Sequence, residues 1–458
     1  MFEDFNKANT REWKEKIIQD LKGASYEDQL IWTSPEKIKV QPFYNSDNTS
    51  DIQSTVFQNA DWDICEEFMV ENEVTSNKAI LNALNGGANS ILLYLSEGVN
   101  LELLLKDVLL DCIQVHFVLA GNPVNILEQY LQLAKEKGCN HNSLNGTIHY
   151  DIFENLARTG NWFTNESADT EVLASLLEIC PTNIRCICID TPLFQNAGAN
   201  MTQQLAISLS IANEYIQKFG TDTINKMAFF TAVGSNYFFE IAKIRALRSL
   251  WKFIGESYQI KESNIWIHAE NSLRNKSIFD PYVNMLRTGS EVMSAVLGGA
   301  DSFSNRSFDA AYKSSEDFGN RIARNQQSLL KGESYLDKVS DPAAGAYYIE
   351  SLTEELADKA FELFKEIESK GGFLACLQSG FIQDLIAEAA REEQNAFDTN
   401  EKSVLGTNLY PNLEERMVDE VEFTSPFCIA SKETVIQPIL AKRLSEASDI
   451  ERLNTEKK

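Results

Sequence analysis

From residue 75 onward two hydrophobic patterns take turns along the chain. In one, apolar residues recur every three or four positions, as on the buried face of an amphipathic helix. In the other they form short, nearly continuous runs, as in strands covered on both faces. The strand-like runs are SILLYL (90–95), VHFVLA (115–120), GTIHYDI (146–152), IRCICI (184–189), MAFFTAV (227–233), NIWIHAE (264–270), ADSFSN (300–305) and AGAYYIE (344–350). Helix-like segments at 75–88, 99–112, 124–137, 167–179, 201–218, 236–255, 282–297, 314–330 and 351–372 surround them. Strand–helix alternation implies parallel pairing through crossover helices. Eight such units predict an α/β fold, a closed (β/α)8 TIM barrel. An open doubly wound sheet would carry a Gly-rich phosphate turn after its first strand, and LSEGVN (95–100) is not that turn.

The ends read differently. NTREWKEKIIQDLKG (9–23) predicts a short helix with Trp13, Ile17 and Leu21 on one face and Gly23 as its stop. Pro42 argues against a central strand in the following IKVQPFYNSDN (38–48). Residues 1–45 therefore form an N-terminal helical arm, 46–400 the barrel, and 401–458 an extended and helical C-terminal tail. Arm and tail are expected to wrap around a partner, since a lone helix must bury its apolar face somewhere.

Composition narrows the partners. Lys plus Arg number 41 against 67 Asp plus Glu, a formal charge of −26. That excludes nucleic acid and anionic membrane as expected partners, because phosphates need a cationic surface. No apolar run is long enough to span a bilayer, and the N-terminus lacks the apolar core of a signal peptide, so the expected setting is cytoplasmic. The eight cysteines (65, 112, 139, 180, 186, 188, 376 and 428) are scattered without a C-x-x-C, so zinc is not expected. Cys186 and Cys188 are read as small buried residues on one strand face.

Acid–base candidates are few. His116, His149 and His268 fall in predicted strands, where a packing role competes with a catalytic one, and His141 does not. Asp190 and Glu270 end the fourth and sixth predicted strands and could reach the rim, as acid–base groups or as caps and ion-pair partners. Lys243, Arg245, Arg248 and Lys252 make a basic face on the helix at 236–255, read as solvated or as a site for an anionic partner. The rim segment DTPLFQNAGAN (190–200) offers nothing after Asp190 that titrates near neutrality, although barrel chemistry sits just past the strand ends.

Several long motifs carry a resemblance. NYFFEIAKIRALRSLW (236–251), DPYVNMLRTGSEVMSAVLGGADS (280–302), FGNRIARNQQ (318–327), DPAAGAYYIESLTEELADKAFELFKEIESKGG (341–372) and the arm's REW…LKG and IKVQPFY resemble methylmalonyl-CoA mutases, from residue 1 to about 410. The resemblance implies a barrel that threads a CoA tail along its axis. It also implies an adenosylcobalamin domain carrying Asp-x-His-x-x-Gly. In that family the fourth-strand rim reads Gly-Tyr-His-Met-Gln-Glu-Ala-Gly-Ala. Here Pro192 stands for the tyrosine that crowds the reacting centre, and Leu193 for the histidine that hydrogen-bonds the thioester carbonyl; Ala197-Gly198-Ala199 is kept. Where the family has Arg-Thr-His-Ser-Gln-Thr-Ser-Gly this chain has Ile267–Arg274, losing an arginine for a CoA phosphate. Cys65 and Glu67 stand where the family has an arginine and a tyrosine, and Asp-x-His-x-x-Gly does not occur.

This pattern resembles the small (beta) subunit of heterodimeric bacterial mutases. It implies no catalytic, cofactor-binding or metal-ligating residue in this chain. Adenosylcobalamin would be bound by a larger catalytic partner subunit, which interconverts methylmalonyl-CoA and succinyl-CoA. Two alternatives stay open: a catalytic barrel served by a separate cobalamin-binding subunit, and a non-enzymatic assembly or binding protein.

Overall fold

The computed structural model describes residues 9–47, 57, 59–119, 121–314, 316–427 and 433–457. Residues 1–8 of the arm, 48–56 at the expected start of the barrel, Ala120, Cys428 and the last residue lie outside these. The barrel strands are β1 (Asp63–Val70), β2 (Ser90–Leu95), β3 (Gln114–Leu119) and β4 (Asn145–His149). They continue with β5 (Ile184–Arg185 and Ile187–Asp190), β6 (Met227–Val233), β7 (Ile267–Asn271) and β8 (Ser302–Ser304). Neighbouring strands pair in parallel, and β8 returns to β1 with Ser302 opposite Asp63. The ring closes within β5. Its first half pairs with β4, Ile184 opposite Gly146, and its second half with β6, Ile187 opposite Met227. This is the expected (β/α)8 barrel.

The change of partner at Cys186 corrects one expectation. An irregular residue in a strand resets the period-two alternation of side chains. Cys186 turns outward into the layer between strands and helices and forms a disulfide with Cys180, whereas Cys188 faces the barrel interior. The two cysteines do not share a face.

Two strand assignments are also corrected. Residues 344–350 form no strand; they are a turn followed by the helix Tyr347–Ser369. Ala343, Ala344 and Ala346 are poor strand formers, and Gly345 takes a left-handed φ of 76° that suits a turn. The missing strand is β1, where Glu66 and Glu67 interrupt the apolar run. Ile64, Phe68 and Val70 face the outer core, and Cys65 the interior. Asp190 and Glu270 accordingly lie on the fifth and seventh strands.

The basic face of the helix Tyr237–Ser257 is not solvated as a whole. Lys243 and Arg245 are each 2% exposed. Lys243 pairs with Glu240 at 2.6 Å and donates to the Ala232 carbonyl at 2.6 Å. Arg245 pairs with Asp341 and, at 2.9 Å, with Glu350. Arg248 is half-buried against Asp301, and only Lys252 is exposed. Each buried charge has a carboxylate partner, which explains why it tolerates burial.

The tail crosses its own barrel. Val435 and Ile436 donate to the Gly160 carbonyl at 2.9 and 3.2 Å, and Ile439 to Ala157 at 2.7 Å. Lys442 donates to Asn196 at 3.0 Å and Leu444 to Arg274 at 2.8 Å. Buried Arg443 anchors the crossing through Asp449 and the Thr424 carbonyl. The tail thus walks over the loops that follow β4, β5 and β7. The arm helix Thr10–Asp20 buries no residue; Trp13 packs only on Phe43, with centroids 5.2 Å apart.

Candidate functional site

A barrel's chemistry belongs at the C-terminal ends of its strands and, for an axial ligand, along its interior. Inward positions here alternate small and large: Cys65, Ser90, Thr147, Cys188 and Ala228 against Leu92, His116, Phe230, Trp266 and His268. The rings stack into one another. His116 lies 5.2 Å from Trp266, Trp266 6.0 Å from His268, Phe230 4.9 Å from His268, and His149 4.0 Å from Phe230. His116, His268, Phe230 and Trp266 are 0, 1, 3 and 6% exposed. A channel wide enough for an acyl-pantetheine arm would leave such side chains accessible to water, so the axis is filled.

Three of the four histidines therefore pack in the barrel. His116 joins Thr147 and Ser90, both at 3.0 Å, and His268 joins Ser302 at 3.1 Å. Burial holds His116 and His149 at about 3, and His268 well below its ordinary value. All three are neutral packing groups at pH 7. The interior thiols are equally inert: burial pushes Cys65 up to about 12 and Cys188 well above the usual thiol range. His141 lies in a short helical turn, His141–Ser143, before β4, at the end of the barrel opposite the rim.

The buried imidazoles make stability pH-dependent. A histidine whose folded pKa lies below its unfolded value stabilises fully above about 6.5 and loses that contribution as pH falls toward 3. His149→Leu is expected to lose about 2 kcal/mol less stability than the parent chain between pH 7 and 5, as unfolding in urea at both values measures.

Above the aromatic layer sits an ion-paired plug. Arg306, just past β8, reaches Glu270 of β7 at 2.9 Å and Glu67 of β1 at 3.4 Å. Burial raises Glu270 to about 7, against the lowering effect of Arg306. Asp190 is raised well above the carboxylate range by burial and by Glu154, Glu270 and Asp151, and its carboxylate lies 3.9 Å from His149. The two candidate carboxylates thus reach the mouth, where Glu270 is an ion-pair partner. Sequence reasoning passed over Arg306. The available signal was a lone arginine directly after a strand, facing two inward glutamates.

The segment 190–200 has a bracing role. Thr191 donates through Oγ1 to the Phe230 carbonyl at 2.8 Å, and Pro192 opens the short helix Pro192–Ala197. Leu193 packs against the outer core. The Asn196 side chain accepts from the backbones of Leu273 and Arg274 at 3.0 and 3.1 Å. Gly198 has φ 108°, and a Cβ there would lie 2.5 Å from Ala390. Arg274 pairs with Glu393 at 2.5 Å. These residues join rim, outer helix and tail.

Among the described residues no group of His, Cys, Asp and Glu is arranged to hold a metal ion, and three histidines are sealed in the barrel. No described helix is long and apolar enough to cross a membrane.

Fold and site define a parallel (β/α)8 barrel whose axis is occupied by its own side chains. Residues 93–449 match the family model for methylmalonyl-CoA mutase. The chain is 31% identical, over its full length and 78% of the relative, to a methylmalonyl-CoA mutase small subunit of Porphyromonas gingivalis. It is 29% identical, over 88% of itself and 69% of the relative, to the small subunit from Streptomyces virginiae. A methylmalonyl-CoA mutase of Rhizobium meliloti is 30% identical over 89% of this chain, which spans 65% of that protein. The chain belongs to the methylmalonyl-CoA mutase family.

Proposed function

We infer that this chain is a non-catalytic small subunit that pairs with a larger mutase chain, the latter binding adenosylcobalamin and isomerising the acyl-CoA. The observation that carries the reading is the filled barrel axis. A thioester drawn along it would have to displace Trp266, Phe230 and two histidines, each part of the hydrophobic core. Leu193 at the rim supports the same reading, since an alkyl side chain cannot polarise a carbonyl. Two relatives named small subunit support a larger partner. The helix Thr10–Asp20, with Trp13 and Ile17 only half-buried and Ile18 46% exposed, offers that partner a surface to cover.

The test is an assay of the purified chain with methylmalonyl-CoA and adenosylcobalamin. The chain alone gives no succinyl-CoA, with or without a separate cobalamin-binding protein. Adding a larger mutase chain gives turnover and a stoichiometric complex on gel filtration. The double variant Pro192→Tyr, Leu193→His stays inactive, because restoring the rim does not open the axis. Turnover by the chain without a larger partner overturns the reading.

A further inference from the structure

A cleft of about 690 Å³ lies outside the barrel axis, between the arm and the rim loops that follow β5, β6 and β7. Its volume is that of a small-molecule site. One wall is a short hairpin in which Trp32–Thr33 pairs with Lys39–Val40. The hairpin is fixed from below by Ile38, which is fully buried, and by Trp32 packing edge-on to Phe239 at 5.7 Å. Its residues 32–37 line the cleft, Trp32 and Glu36 among them.

Glu36 is 7% exposed. Its Oε1 accepts from the Met201 backbone at 3.2 Å, and its Oε2 is buried with no hydrogen-bond partner among the described residues. Gln195, on the short helix after β5 that also lines the cleft, likewise has a buried Oε1 without a partner among the described residues. Buried acceptors left unpaired cost about 1–3 kcal/mol each, more when charged, and call for a donor. Among the described residues, the cations that line the cleft are paired elsewhere. Lys37 is paired with Glu392 at 2.8 Å, Arg274 with Glu393 at 2.5 Å, and Lys402 also with Glu393. Glu240, at the back of the cleft, is neutralised by Lys243 at 2.6 Å. Glu36 is the buried carboxylate of the wall that remains uncompensated.

Trp32 completes the chemistry. Its indole is 50% exposed and lines the same cleft as that carboxylate. An aromatic face next to an unpaired anion is the pairing that recognises organic cations. Metal coordination is not the alternative, since no metal-holding group of ligands occurs among the described residues. We propose that this cleft binds a small organic cation bearing a protonated amine, with Glu36 as counter-ion, Gln195 as second acceptor and Trp32 as aromatic wall. The proposal does not rest on the subunit reading.

Spermidine is a suitable probe, titrated calorimetrically into the full-length chain at 0.15 M salt. The acidic protein attracts polyamines diffusely, and salt at this level screens such exposed contacts. The expected result is one saturable site. Glu36→Gln, which keeps the acceptor for Met201, weakens it at least about tenfold, as loss of a charged hydrogen bond requires. Trp32→Leu weakens it about threefold or more. Glu366→Gln, an exposed carboxylate on a distant helix, leaves the site unchanged. Absence of a saturable site, or equal binding by all variants, overturns the proposal. So does a Glu36→Gln chain that unfolds at the parent urea midpoint yet binds like the parent.

Discussion

Arg306→Met lowers the stability of the folded chain by about 3–5 kcal/mol at pH 8, read from its urea unfolding midpoint. The arginine holds Glu67 and Glu270 together at the mouth of the barrel. Without it, two carboxylates from β1 and β7 confront each other in a largely dehydrated site. The loss depends on pH in a definite direction. Glu270 already titrates at about 7, above the value of an exposed glutamate, because burial outweighs its cation. A carboxylate whose folded pKa is raised stabilises fully below its unfolded pKa, and that stabilisation is lost as pH rises through the folded one. Removing Arg306 raises the folded pKa further, so the deficit at pH 5 is smaller than at pH 8. A deficit independent of pH would mean that Arg306 acts by packing alone.

Arg245→Met is expected to cost a similar 3–5 kcal/mol, with a different remedy. Arg245 leaves the helix Tyr237–Ser257 to meet Asp341 and Glu350, all three nearly inaccessible to water. Glu350 also accepts from the Gly345 backbone at 2.8 Å, so the charge cluster fixes the turn before the helix Tyr347–Ser369. The triple variant Arg245→Met, Asp341→Asn, Glu350→Gln should regain most of the loss, because it removes both stranded charges and keeps the acceptor for Gly345. Urea unfolding of single and triple variants measures this. A triple variant no more stable than the single one would show that the cation's shape, not its charge, holds the turn.

These two arginines mark what the sequence discloses and what it withholds. The barrel was legible because strands such as SILLYL and MAFFTAV are covered on both sides and therefore apolar throughout. β1 escaped because its inward face at Glu67 meets a cation that arrives from β8, far away in the chain. The run at 344–350 passed for a strand because Tyr347, Tyr348 and Ile349 favour extended structure locally, and Arg245 overrules them from another helix. Arg245 read as solvated for the same reason: Asp341 and Glu350 are distant in sequence. Cys186 read as a packing residue because strand alternation carries no sign of where a ladder changes neighbours. At the rim, Leu193 was legible through likeness to a family motif, whereas the filled axis needed the rings of Trp266, Phe230 and His268 placed in space.

The tail's path has a consequence for motion. Barrel enzymes depend on strand-end loops that swing to admit and enclose a substrate. Here one chain segment donates backbone hydrogen bonds to Gly160, Ala157, Asn196 and Arg274 in succession. Loops stitched to a common thread cannot swing independently. A rim held this way keeps one shape, the quality that the proposed pairing with a larger chain would draw on.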